Sequence, residues 1–221
     1  MHDMGLSIAA VSGTSIGAVI AVGLGSGLRP RELLSIFKSK AFQEVFAFNY
    51  FRRGFLRIRQ ESSILQDIAP ISSLESMKIP TYVTCVDLLS GRIVRFHEGP
   101  THLLAIASAA LIPLFSPIRY KNYLLIDGGF MDNLPIAPLE ELSYPIVSSD
   151  LFLLHVTQES GFFSLYKRSL FLSFIASSQA QRAKSHFYIT APELRDFGLF
   201  TFKELDECFD LGYKRAMELI F

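Results

Sequence analysis

Ser15 stands in Gly13-Thr14-Ser15-Ile16-Gly17, a G-x-S-x-G pentapeptide between an apolar run that suits a strand and one that suits a helix. In that setting the glycines permit a sharp strand-to-helix turn, and the serine hydroxyl projects from strained backbone at a strand's carboxyl end. Amides opening the next helix supply positive potential where a carbonyl oxygen would gain charge, which makes Ile16 the candidate oxyanion donor. Serine is a weak nucleophile near neutral pH and needs a base beside it. Asp127 is the candidate base: it ends Leu124-Leu125-Ile126 and precedes Gly128-Gly129, whose backbone can approach a neighbouring loop closely. A carboxylate in a partly dry cleft has its pKa raised toward the working range. The chemistry implied is serine attack on an ester carbonyl with a carboxylate moving the proton. Alone, the pentapeptide also reads as a Gly/Ser loop, and Asp127 as a turn residue binding its own backbone.

The elements that must position these groups follow from apolar periodicity and turn residues. Ile8 to Val11 reads as the strand before the serine and Ile16 to Gly27 as the helix after it. Pro30 opens a short amphipathic helix ending at Lys38, and Ser63 to Ala69 forms a further helical turn or two. Pro80 opens a strand, Thr81 to Asp87, and Ser90-Gly91 turns it into a second, Arg92 to His97. Leu103 to Leu111 is a small-residue helix, Tyr123 to Ile126 a strand, and Leu151 to Val156 another strand. Phe163 to Lys184 is a long helix, Phe187 to Ile189 a short strand, and Phe202 to Ile220 a closing helix. Strands alternate with helices and several are apolar on both faces, which predicts an α/β layered fold on a mostly parallel sheet. Ser15 and Asp127 then both occupy strand ends, where such sheets gather their functional groups.

Composition narrows the rest. The chain has 221 residues and no visible linker or repeat, which predicts one domain spanning 1–221. Lys+Arg and Asp+Glu number 21 each, so there is no bulk pull toward nucleic acid. Half the residues are hydrophobic and mean hydropathy is +0.32, yet the longest apolar run, Ile16 to Leu28, falls short of a membrane span of roughly 20 residues. The start, Met1-His2-Asp3-Met4, lacks the features of a signal peptide, and Cys85 and Cys208 do not form a disulfide framework. These features predict a cytoplasmic protein.

The motifs, in this order, resemble the patatin-like phospholipase family over nearly the whole chain. Gly13 to Ala18 is similar to its nucleophile elbow, and Asp127-Gly128-Gly129 with Asn133 and Pro135 to its D-G-G element. Ile79 to Val83 with Asp87 and Gly91 is similar to its central strand and hairpin, and Ala107-Ser108-Ala109-Ala110 with Pro113 to its A-S-x-x-x-P helix end. Gly198 to Phe202 and Gly212-Tyr213 resemble bacterial members. The resemblance implies a three-layer α/β sandwich and a Ser15-Asp127 dyad that hydrolyses acyl esters of phospholipids or lysophospholipids through an acyl-enzyme. Gly13, Gly17, Gly128 and Gly129 would shape its backbone, and no cofactor or metal would be needed. The family also carries a glycine-rich loop, G-G-G-x-[KR]-G, ahead of the elbow, and residues 1–14 hold no counterpart. The first strand and that loop are therefore expected to be missing. That predicts an exposed sheet edge, self-association and slow turnover. A lipid-binding scaffold that kept the dyad without the catalysis is the second reading.

Three features compete for attention. His155 follows Asp127 as a Ser-Asp-His order requires, but it sits inside an apolar run and reads as a core histidine. Gly23-Leu24-Gly25-Ser26-Gly27 reads as a helix end rather than a phosphate loop. From Phe42 to Arg59, aromatics interleave with Arg52, Arg53, Arg57 and Arg59; this suits either peripheral contact with a membrane or rings folded onto the core.

Overall fold

A computed structural model describes residues 5–47, 63–151, 161–197 and 202–220. The first strand is β1 (Val11–Thr14), followed by α1 (Ile16–Gly25), α2 (Pro30–Lys38), α3 (Lys40–Ala47) and α4 (Ser63–Ile68). A hairpin, β2 (Thr81–Asp87) and β3 (Arg92–Phe96), precedes α5 (Thr101–Ser108), β4 (Ile118–Tyr120) and β5 (Tyr123–Asp127). The remainder comprises α6 (Ala137–Glu140), β6 (Val147–Ser149), α7 (Phe162–Arg182), β7 (Phe187–Ile189) and α8 (Leu205–Ile220). Helices lie on both sides of a mixed sheet, so the layered α/β reading holds.

Strand direction departs from the sequence reading. In the five-stranded sheet β1 runs parallel to β2, while β2–β3, β2–β5 and β4–β5 are antiparallel. Only the separate pair β6–β7 adds another parallel contact among the described residues. Strands covered by helices on both faces are apolar whichever way they run, so composition could not decide direction. Also corrected is the strand before the serine. The apolar maximum is at Ile8 to Val11, but pairing along β2 starts where the Val11 amide donates to the Pro80 carbonyl (2.9 Å) and runs through Thr14. The strand expected at Leu151 to Val156 falls on Leu151, which is exposed, and on 152–156, outside the described residues.

The architecture turns on β2. Its residues 83–87 pair with β3 along one edge. The other edge is shared: β1 takes Thr81 to Thr84, and β5 takes Cys85 to Asp87 from the opposite direction. Thr14 faces Thr84 and Asp127 faces Cys85, so the two strands stop head to head. Asp87 sets this register. Its buried carboxylate accepts from the Leu89 and Ser90 amides and the Ser90 hydroxyl, closing the hairpin turn, and from the Leu124 amide of β5 (3.0 Å). Those donors, the Ser90 hydroxyl first, hold its pKa below the ordinary carboxylate value.

Under the sheet, α1 and α5 pack on β1, β2 and β5 around Ala18, Val22, Val83, Leu104 and Leu125, all nearly inaccessible. The glycine-rich stretch after α1 is a Schellman helix end. The Gly27 amide bonds to the Leu24 carbonyl, the Leu28 amide to the Gly23 carbonyl, and Gly27 has φ 92°. Phe42 is only 3% exposed and packs on Phe37 and Phe202, so the first ring of the aromatic-basic segment belongs to the core. Phe48 to Arg59 lies outside the described residues. No helix among the described residues is long and apolar enough to cross a membrane.

The two glycines around Ser15 play unequal parts. A Cβ on Gly13 would fall 2.2 Å from the Gly17 carbonyl oxygen, whereas one on Gly17 would meet nothing within 4 Å. Gly13→Ala should therefore destabilise the fold by about 1–3 kcal/mol or more through backbone overpacking. Gly17→Ala, inside α1, should be neutral or stabilise it by up to about 1 kcal/mol. Denaturant midpoints for the two variants check this; equal losses would contradict the packing described.

Candidate active site

Ser15 follows β1 and caps α1 with φ 57° and ψ −129°, a backbone region that costs a non-glycine residue of order 1–3 kcal/mol. Three contacts hold it there. Its carbonyl accepts from the Ala18 amide (2.9 Å), closing the first turn of α1. Its own amide donates to the Ser108 hydroxyl (2.9 Å), and that hydroxyl donates to the Thr84 carbonyl (2.6 Å). Ser108, the last residue of α5, is fully buried and so ties the elbow, α5 and β2 together. Beside it, the Thr14 hydroxyl donates to the Asp132 carbonyl (2.8 Å), anchoring the end of β1 to the chain beyond β5.

The half-buried Ser15 hydroxyl donates to Asp127 Oδ2 at 2.6 Å. Asp127 is 1% exposed, and its Oδ1 accepts from the Gly129 amide at 2.8 Å within the 3-10 turn Gly128–Phe130. Burial raises its pKa to about 6, against the lowering effect of the two hydrogen bonds from Ser15 and Gly129. Glycine at 128 is a steric requirement, since a Cβ there would lie 2.4 Å from the Thr84 carbonyl oxygen. Cys85, opposite Asp127 on β2, is fully buried, and burial together with the Asp127 carboxylate pushes its thiol pKa up. It is a neutral wall.

The Asp127 loop is held from outside by α7. The Ser177 hydroxyl contacts the Gly129 carbonyl (3.2 Å) and accepts from the Asn133 amide (3.1 Å), while the Asn133 side-chain amide donates to the Ser178 hydroxyl (3.2 Å). Phe130 sets its ring edge-on against Phe174. Nearby, Asp132 is buried, pairs with Arg95 of β3 and leaves its Oδ1 without a hydrogen-bond partner. Its pKa is raised by burial, with Arg95 opposing.

The structure thus brings together Ser15, Ile16, Asp127, Gly13, Gly128 and Gly129; Gly17 lies against Gly13 through its carbonyl, although a side chain at 17 would enter open space. Thr14, Ser108, Asp132 and the α7 serines were not singled out by sequence. The signal for Ser108 was its place in Ala107-Ser108-Ala109-Ala110 with Pro113, the A-S-x-x-x-P helix end of the resemblance, which assigned it no role. Of the histidines, His97 stacks on Tyr82, His102 bonds to the Ala69 carbonyl and His186 Nδ1 accepts from the Ile146 amide. His155 lies outside the described residues, and no group of three potential metal ligands occurs among the described ones. An apolar cavity of about 20 Å³ lies between α1, α4 and α5, lined by Val19, Ile64, Ile68, Ala105 and Ala109, too small as it stands for an acyl chain.

The patatin-like phospholipase family model matches residues 1–140. The chain belongs to that family. A relative in Mycobacterium tuberculosis, an uncharacterised NTE family protein, is 30% identical over 142 residues, 63% of this chain and 39% of the relative. A counterpart in Mycobacterium bovis matches to the same degree. Lysophospholipase NTE1 of Mycosarcoma maydis is 24% identical over 267 aligned positions, covering 100% of this chain and 13% of the relative. The patatin-like chain thus spans well under half the length of these relatives.

Two measurements test the site's physics. Ser108→Ala orphans the Ser15 amide and the Thr84 carbonyl together and should cost about 1–3 kcal/mol of stability. Asp127 carries a folded pKa of about 6 against an ordinary 3.8, so its neutral form is the one that suits the fold. Its contribution is complete below pH 4 and is lost as pH rises through 6, a change of about 3 kcal/mol. Unfolding of Asp127→Asn should lack that decline between pH 4 and 7, and parallel wild-type and variant curves would refute the burial argument.

Proposed function

We propose that this chain is a serine acyl hydrolase acting on the acyl ester of a phospholipid or lysophospholipid through a Ser15-Asp127 dyad. The observation that carries the reading is the 2.6 Å hydrogen bond from the Ser15 hydroxyl to a buried carboxylate whose pKa is about 6. Membership of the patatin-like family and the lysophospholipase name of a relative support the substrate class.

Asp127, ionised, takes the Ser15 proton as Oγ bonds to the ester carbonyl carbon. The Ile16 amide, at the first turn of α1, stabilises the oxyanion, since amides there have no partner within their own helix. Collapse expels the alcohol, which receives the proton from Asp127, and leaves the acyl group on Ser15. A water then gives a proton to Asp127 as its oxygen bonds to the acyl carbon; the acyl–Oγ bond breaks, Oγ takes that proton back from Asp127, and the fatty acid leaves with the Ser15 hydroxyl restored. Gly13 and Gly128 contribute by letting the two loops close to this distance.

A fluorophosphonate should label Ser15, and absence of labelling would favour the non-catalytic lipid-binding alternative. Ser15→Ala and Asp127→Asn should each cut kcat by at least about 10³-fold, with little further loss in the double variant, because the two act as a unit. Additive losses would break the dyad. In the wild type, kcat/KM should rise with pH on an acid limb centred near 6, as Asp127 ionises.

A further inference from the structure

The outward face of α7 meets the Asp127 loop through Ser173 and otherwise turns away from it. Phe162, Leu165, Tyr166 and Leu172 are 78%, 52%, 46% and 42% exposed, and Ser169, Ser173 and Ala176 complete the same side of the helix. That stripe carries no charge, although the usual outer face of a helix is polar. Nor does any Asp or Glu occur from Phe162 to Arg182, while Lys167 and Arg168 follow Tyr166 directly. The inward face buries Phe174, Ile175 and Ser178. An uncharged apolar stripe, on a helix whose first half bears Lys167 and Arg168 and no carboxylate, matches an anionic lipid surface in both hydrophobicity and net charge.

The stripe also runs into the catalytic region. Ser173 belongs to it and directs its hydroxyl to the Phe130 carbonyl, three residues beyond Asp127. Met131, next in the chain, is 44% exposed, and Ile16 and Ile20 on α1 are 39% and 37% exposed. A stripe of four large side chains is narrow beside the roughly 800 Å² per partner of a stable dimer interface, so a second copy fits it less well. We propose that α7 is the element that lies on the lipid surface, its four exposed apolar side chains entering the acyl boundary and its inner serines carrying the Asp127 loop to that surface. The proposal rests on the lipid hydrolase reading for its substrate, though not for its binding.

The test uses the chain with Leu165→Glu and Leu172→Glu combined, and a milder pair, Leu165→Ser and Leu172→Ser. Sedimentation with phosphatidylcholine–phosphatidylglycerol vesicles should weaken at least about tenfold in the glutamate pair and less in the serine pair. Hydrolysis of vesicle lipid should fall in step, while turnover of a soluble short-chain ester stays within about twofold of wild type. Unchanged vesicle binding in the glutamate pair would overturn the proposal. So would an equal loss on the soluble ester in both pairs, or a wild-type dimer in light scattering that the substitutions turn into monomer. Lost vesicle binding in a chain that hydrolyses neither substrate would keep the lipid surface and sink the hydrolase reading.

Discussion

The site depends on a division of one strand edge. A β-strand offers two hydrogen-bonding edges, and β3 occupies one edge of β2 from Val83 to Asp87. Along the other, β1 and β5 arrive from opposite directions and end against neighbouring residues, Thr84 and Cys85. Two chains that meet head to head must both leave the sheet at that point. β1 leaves through the strained Ser15 and β5 through Asp127 and two glycines. Ser15 and Asp127, 112 residues apart in sequence, are neighbours because of this geometry. A slip of one residue in either strand would turn its side chains to the opposite face and separate them. The Thr84 carbonyl marks the crossing: it accepts from Ser108 and is the atom a side chain at 128 would strike.

Four buried aspartates show how the fold distributes carboxylates between structure and chemistry. Asp87 is met by amides and a hydroxyl, which lower its pKa. Asp132 is faced by Arg95, and Asp150 by Arg182 and the Tyr188 hydroxyl. Asp127 is met by one amide and the Ser15 hydroxyl, and these offset only part of the cost of burying its charge. Burial raises the pKa of Asp132 as well, despite Arg95; what sets Asp127 apart is that its Oδ2 meets a serine hydroxyl rather than a guanidinium. The difference lies in the partner each carboxylate meets, since all four are almost fully buried.

α7 joins two roles in one element. Its inner face supplies Phe174, Ser177 and Ser178 to the loop behind Asp127, and its outer face is uncharged. The carboxylate is thereby steadied by a helix beyond residue 140, where the family match ends. Positional rigidity at Asp127 thus draws on a part of the chain that the shared motifs do not include.

Local chemistry made a large part of the molecule legible. Thr81 to Asp87 and Phe187 to Ile189 coincide with β2 and β7, because short apolar runs bounded by Pro and turn residues have few alternatives. Ser15 and Asp127 stood out because a serine or a carboxylate beside glycine at a strand end is a local signal. Strand direction, the shift of the first strand to Val11–Thr14 and the short β4 were not legible, since pairing with β2 decides them and apolarity does not report it. The roles of Ser108 and Asp132 were hidden for a related reason. Each is an ordinary polar residue until the fold sets Ser108 between the Ser15 amide and the Thr84 carbonyl, and Asp132 beside Thr14 and Arg95. Sequence by itself determined which groups could react. The tertiary structure decided the pKa of Asp127, its distance from Ser15 and what holds both in place, because burial and long-range hydrogen bonds exist only once distant segments meet.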